Sequence, residues 1–222
     1  QIHGDVPPMN GFHSTIMILD AYRKGIKNFD INSAYEAMKK NALEGTMVPW
    51  RLGAASPLDK LALKLGYFPA LHPGEIETEP LVDSFEKRQA VAVTLAQSYD
   101  DWALAQLAKD LGKVQDYEYF SKTAKNYQNL YWKEKGFFMP KDAAGNWIDI
   151  DPKFDGGMGG RDYYDENNGW TYLWNVQQDV LGLQKLMGGR DTFEARLDQM
   201  FREDLGRSVY ALNAKFPDFT GI

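Results

Sequence analysis

Val91-Ala-Val-Thr-Leu-Ala-Gln-Ser-Tyr-Asp-Asp-Trp-Ala-Leu-Ala-Gln-Leu-Ala-Lys-Asp-Leu-Gly112 is the most continuously apolar stretch of the chain. Val91, Val93, Leu95, Tyr99, Trp102, Leu104, Leu107 and Leu111 fall on more than one side of a helix, the pattern of a helix buried over most of its surface. Upstream, Asp83 and Glu86 have the spacing of a capping box, and Gly112 supplies a stop, so the sequence predicts one helix over 83–111. After a short turn, Tyr117, Phe120, Ala124, Tyr127 and Tyr131 form a single stripe, with Lys122, Lys125 and Gln128 on other faces. That is a half-solvated helix, and two helices joined by a short turn pack as an antiparallel hairpin.

The same reading extends outward in both directions. Phe12, Ile16, Leu19, Tyr22 and Ile26 make a stripe ending near Gly25. Asp30, Ser33 and Glu36 then introduce a second stripe of Ile31, Tyr35, Met38 and Ala42, closed by Gly45. Towards the C-terminus, Trp170–Met187 reads as one helix stopped by Gly188-Gly189. Asp191 and Glu194 introduce another, carrying Phe193, Leu197, Met200 and Leu205. Three hairpins are therefore expected, at about 9–45, 83–133 and 169–205. They are separated by segments of roughly 30 residues rich in Pro and Gly, far longer than ordinary connections; a short helix is expected within Leu58–Leu65. The first helix of each pair reads as the more apolar. The expectation is an all-α fold in which antiparallel hairpins form about half of an (α/α)6 toroid, one partial domain over 1–222. The long loops gather at one end, where a site belongs.

Composition narrows the chemistry. The 222 residues contain no Cys, which removes disulfides, thiolate metal sites and Cys nucleophiles. Three His far apart in sequence make a three-histidine zinc site a poor reading. A formal net charge of -6 argues against nucleic acid as a partner. No apolar run approaches the roughly 20 residues of a membrane span. The chain opens Gln1-Ile2-His3 and closes at Gly221-Ile222, which reads as a piece of a longer protein. Chemistry is expected from carboxylates.

Arg161-Asp-Tyr-Tyr-Asp-Glu-Asn-Asn-Gly-Trp-Thr-Tyr-Leu-Trp174 concentrates acids, amides and rings. That composition suits a polar, ring-shaped ligand, since aromatic faces stack on flat apolar surfaces while carboxylates and amides reach hydroxyls. Glu166, flanked by Tyr164, Asp165, Asn167, Asn168 and Trp170, is expected to be desolvated, which raises a carboxyl pKa and suits a general acid; the alternative is a helix cap. Asp162 and Asp165 read as capping or hydrogen-bonding residues. Asp149, Asp151 and Asp155 resemble a calcium loop, but no bidentate Glu follows and Pro152 interrupts them. Gly156–Gly160 lacks the Gly-Lys-Ser/Thr ending of a phosphate loop. His13 stands where it could point into the same site or serve as a structural residue.

Several segments together resemble the catalytic domain of glycoside hydrolase family 92, the calcium-dependent exo-acting α-mannosidases. They are Met9-Asn10-Gly11-Phe12-His13, Asp20-Ala21-Tyr22-Arg23-Lys24-Gly25-Ile26, Phe29-Asp30, Ala34–Met38, Gly66-Tyr67-Phe68-Pro69, Tyr99-Asp100-Asp101-Trp102, Gly136–Pro140 and the acidic-aromatic stretch. The family pattern Tyr-x-Glu-Gly-Asn-x-Trp-Gln-Tyr places its general acid at Glu166, with Asn168, Trp170 and Tyr172 in agreement. Asn167 and Thr171 depart from it. The resemblance implies an inverting hydrolase of terminal α-mannosides, with two carboxyl groups roughly 6.5–9.5 Å apart. It implies Tyr164, Asn168, Trp170 and His13 as substrate contacts, and calcium as a cofactor whose ligands, like the general base, lie mostly outside this chain. Lys215-Phe216-Pro217-Asp218 resembles the approach to one of those later motifs. Expected partners are a mannose-containing glycan, the remainder of the same catalytic domain and an N-terminal β-sandwich, in a secreted, periplasmic or cell-surface protein. Two other readings stay open: a non-catalytic carbohydrate-binding or scaffold protein, and another (α/α)6 glycosidase of trehalase-like or glucoamylase-like type.

Overall fold

The computed structural model describes residues 10–153 and 162–203. His3, Met9, Asp155, the Gly156–Gly160 cluster, Arg161, Leu205 and the Lys215–Asp218 segment lie outside the described residues. In chain order the elements are α1 (Ser14–Arg23), α2 (Ile31–Glu44), α3 (Pro57–Leu65), α4 (Ala90–Asp110) and α5 (Val114–Thr123). A 3-10 turn (Asn126–Leu130) follows, then β1 (Tyr131–Trp132), β2 (Phe137–Phe138), α6 (Gly169–Tyr172), α7 (Val180–Leu186) and α8 (Arg190–Met200).

The described fold is organised around α4. It packs against α1, α2 and α5, and its two halves serve different cores. Ala90–Leu95 belongs to a cluster with Phe12, Phe68, Phe138, Tyr164, Trp170 and Leu173. Ala103–Ala108 belongs to a second cluster with Leu19, Tyr35, Met38 and Phe120. Leu95, Leu104 and Leu107 are fully buried, each stabilising the fold by about 1.5–3 kcal/mol. Between the halves lies a polar waist of Ser98, Asp100 and Asp101, all buried. A helix covered on every side carries no single apolar stripe, so buried polar groups at its middle must find partners on other elements.

The helical pairs follow the expected spacing, with informative departures. Helix α4 starts seven residues later than expected. Asp83 does cap, its Oδ1 accepting from the Phe85 and Glu86 N–H groups, but it closes only a turn. Lys87 and Gln89 have φ of 56° and 47°, a left-handed backbone that cannot continue a helix. The first N–H groups of α4 are satisfied from elsewhere: Ala90 donates to the Asp162 carbonyl, and Val91 and Ala92 donate to Tyr163. In the expected α5, helix gives way to a 3-10 turn, and Tyr131 enters a two-residue hairpin pairing Tyr131 with Phe138 and Trp132 with Phe137. Gly136 makes that turn at φ +71°.

The expected helix 170–187 is two short ones. Between them, Asp179 restarts the helix by accepting from the Gly182 N–H while its other oxygen takes the Tyr127 hydroxyl at 2.7 Å. Gly189, not Asp191, is the residue at the start of α8. The greater burial of the first pair member holds for α4 over α5. It fails for the first pair, where α1 and α2 each bury one stripe. The short helix within 58–65 is present, with Ser56 and Asp59 closing a full capping box ahead of Pro57.

Candidate active site

The segment from Asp162 to Asn168 is held to the rest of the protein at nearly every residue. Asp162 and Tyr163 cap α4 through their carbonyls. The Tyr163 hydroxyl donates to the Leu71 carbonyl at 2.9 Å. The Tyr164 hydroxyl donates to the Phe138 carbonyl at 2.7 Å, and its ring stacks on Tyr172 with centroids 5.4 Å apart. The Tyr172 hydroxyl in turn brackets Asp165, accepting from its N–H at 3.2 Å and donating to its carbonyl at 3.1 Å. Burial, then the charge of Asp165, holds the Tyr172 phenol well above the usual tyrosine range.

Asp165 and Glu166 are adjacent but meet opposite surroundings. Asp165 is 4% exposed, and its Oδ2 accepts from Asn10 Nδ2 at 3.1 Å. Glu166 is exposed, with φ +53°, at the point where the backbone reverses. Asn168 then caps α6, its Oδ1 accepting from the Trp170 and Thr171 N–H groups at 3.0 and 3.4 Å. Asn167 Oδ1 takes the Thr171 hydroxyl at 2.6 Å. At Gly169 a Cβ would lie 2.6 Å from Pro152 Cβ, and its N–H donates to the Pro152 carbonyl at 2.7 Å. Only glycine admits that approach.

The segment before α1 reaches the same region. Asn10 bonds Asp165, while the buried Asp100 of α4 accepts from the Phe12 N–H at 2.5 Å through one oxygen and pairs with His13 Nδ1 at 2.9 Å through the other. Gly11, at φ +75°, fits between because a Cβ there would come within 3.0 Å of Asp100 and Ala96. Residues 10–13 therefore run from the Glu166 loop to the waist of α4, with the His13 side chain half-exposed.

These positions revise several expectations. Glu166 is an exposed residue rather than a buried one, and the buried acid of the pair is Asp165. Tyr164, Asn168 and Trp170, expected to face a substrate, are turned inward with 0%, 3% and 1% exposure. The Trp170 ring is covered by the Arg196 guanidinium at 4.3 Å and met edge-on by Phe137 at 5.0 Å. The physical reason is that large rings gain most by burying their own surface, and this loop lies directly over the α4 core. Asn10, Asp100, Asp165 and Tyr172 escaped the reading as site residues. Asp100 carried a signal, since an acid inside an apolar helix requires a partner; Asp165 read as a hydrogen-bonding residue and Tyr172 matched the family pattern, without a role assigned to either.

The profile of the glycosyl hydrolase family 92 catalytic domain matches residues 3–217. The chain belongs to this family. A secreted glycosidase of uncharacterised activity from Arthroderma benhamiae is 30% identical over 211 residues, 86% of this chain and 26% of that protein. Among solved structures, a family 92 inverting mannosidase from Bacteroides thetaiotaomicron superposes with a TM-score of 0.70 at 34% identity, covering 88% of this chain and 24% of the other. A second family 92 α-mannosidase from that organism, solved with mannoimidazole, gives 0.70 at 30% identity over 89% and 23%. The chain thus spans about a quarter of the length of the relatives it matches. The family assignment makes it glycosidase sequence, and the helical fold is the one shared with the mannosidases.

Family 92 membership brings calcium into question. Among the described residues no three His, Asp or Glu side chains gather as they would around a cation. Asp149 pairs with Lys135 at 2.7 Å and Asp151 accepts from the Lys153 N–H. Surface clefts of about 830, 520 and 440 Å3 open elsewhere, at 57–88 with 142–144, at 102–128 with 178–185, and around 71–77 with 162–163. Glu166 lines none of them. No described helix is long and apolar enough to cross a membrane.

Proposed function

We propose that this chain supplies the acid-bearing part of an exo-acting, inverting α-mannosidase that removes terminal α-linked mannose from glycans, with Glu166 as the general acid. The observation that carries the reading is an exposed glutamate immediately after a buried, bonded acid, Asp165, at a backbone reversal within a family 92 catalytic domain. An exposed carboxyl on a braced loop can meet a glycosidic oxygen without the loop rearranging, which favours proton donation at a fixed point. In the inverting scheme the acid protonates the leaving oxygen while a second carboxylate activates water from the opposite face. That second carboxylate and the calcium ligands are assigned, by the family resemblance, to sequence outside this chain. His13, held by Asp100 and half-exposed, is the remaining substrate contact in this reading. The partial (α/α)6 ring, the β-sandwich neighbour and a secreted or surface location belong to the same proposal.

The non-catalytic binding reading needs open aromatic faces. Covered as it is by Arg196, Trp170 offers little support for it.

The test is Glu166→Gln in the full-length protein that carries this chain. Loss of a general acid lowers turnover by about 10²–10⁴, most for mannosides with poor leaving groups and least for those with activated aryl groups. Unchanged turnover of natural α-mannosides in this variant would overturn the assignment.

A further inference from the structure

We propose that Asn10 and Tyr172 form, with Asp165, a positioning clamp that sets the direction of the Glu166 carboxyl; the inference rests on the general-acid reading of Glu166. Three bonds from two side chains converge one residue before it. The Tyr172 hydroxyl holds both the N–H and the carbonyl of Asp165, and Asn10 holds its carboxylate, so the peptide leading into Glu166 is fixed at both ends of Asp165. On the other side, Asn168 caps α6 and Gly169 is locked to Pro152. Glu166 is the residue between these anchors, and it carries a left-handed φ of 53° that a non-glycine residue keeps only when its surroundings hold it there.

The clamp also joins three parts of the chain. Asn10 lies on the segment that ends in His13, and that segment is tied to α4 through Asp100. A displacement of α1 relative to α6 is therefore transmitted to the Asp165 carboxylate, then to the next residue. Asn10 and Tyr172 touch Asp165, not the reacting atoms, so their contribution passes through the acid's position.

The experiment compares Asn10→Ala, Tyr172→Phe and Glu166→Gln in the full-length protein, using methyl α-mannoside and 2,4-dinitrophenyl α-mannoside. Tyr172→Phe keeps the ring that stacks on Tyr164, and Asn10 is only partly buried, so both variants retain the packing of the loop. The clamp predicts that each lowers kcat for the methyl glycoside about tenfold to a hundredfold, the scale of a misplaced catalytic group, and leaves the dinitrophenyl glycoside within about twofold, since that leaving group needs no proton. Equal losses on both substrates would mean a general packing role and overturn the clamp, as would no loss on either. If Glu166→Gln itself lacks the leaving-group dependence, the acid reading fails; if Glu166→Gln has it and the clamp variants do not, the clamp alone fails.

Discussion

Asp101 sits at the waist of α4, 2% exposed, with Oδ1 unpartnered among the described residues. Burial, together with the neighbouring Asp100 carboxylate and against a hydrogen bond from Thr123, pushes its carboxyl from 3.8 up to about 7. At about 1.4 kcal/mol for each tenfold change in proton affinity, that displacement is worth on the order of 4 kcal/mol, a large part of a typical domain's stability. The sign follows from the folded pKa lying above the unfolded one. The folded state keeps its proton while the unfolded chain loses it, so stability is full below about pH 4, falls as pH rises towards about 7, and stays at the lower level above that. Asp101→Asn removes the titration while keeping the shape of the side chain. Urea unfolding of wild type and Asp101→Asn should be followed in parallel from pH 4 to pH 8. The difference between the two curves should change by about 4 kcal/mol in favour of the variant across that interval, other titrating groups cancelling. A difference that stays level with pH would refute the reasoning, because Asp101 would then be ionised in the fold at a normal pKa or paired by a group not accounted for.

Two further outcomes test the packing around the site. Gly169→Ala forces a methyl against Pro152 and disrupts the Gly169–Pro152 hydrogen bond. It should cost about 1–3 kcal/mol in thermal or urea unfolding, and a neutral result would mean that the 152–169 contact is not held in solution. Arg196→Ala uncovers Trp170 and Phe137 and removes cation–π contacts worth about 0.5–2 kcal/mol. Its fluorescence should show one additional tryptophan reached by a soluble quencher, and unchanged quenching would refute the covered position of Trp170.

The sequence reading of helices succeeded where one physical signal dominated. Stripes at spacings of three and four located α1, α2 and α5 because a helix on a core must bury one face, a run apolar on several sides located α4, and Gly112, at φ +73°, ended α4 where only glycine is relaxed. Asp30 was legible as a cap because its carboxylate accepts from Asn32 and Ser33 only a few residues away. Boundaries failed where a distant residue competed with local preference. Helix α4 begins at Ala90 because Asp162 and Tyr163 supply its caps, and the helix expected over 170–187 is broken where Tyr127 reaches Asp179.

The candidate site divides along the same line. Residue types and their order marked 161–174 as the chemical centre, and the family resemblance of its motif pointed to Glu166 as the proposed acid, since a motif travels with the sequence. Which acid is exposed was decided only by tertiary structure. Asp165 is buried because Asn10, 155 positions away, and the Tyr172 hydroxyl provide its partners, and Glu166, at the backbone reversal, is left exposed. The rings around it turned inward for a similar reason: the loop lies on the α4 core and Arg196 closes over Trp170. Periodicity and capping are local and can be read from spacing. The choice between two adjacent carboxylates depends on what the fold places opposite them, and spacing carries no record of that.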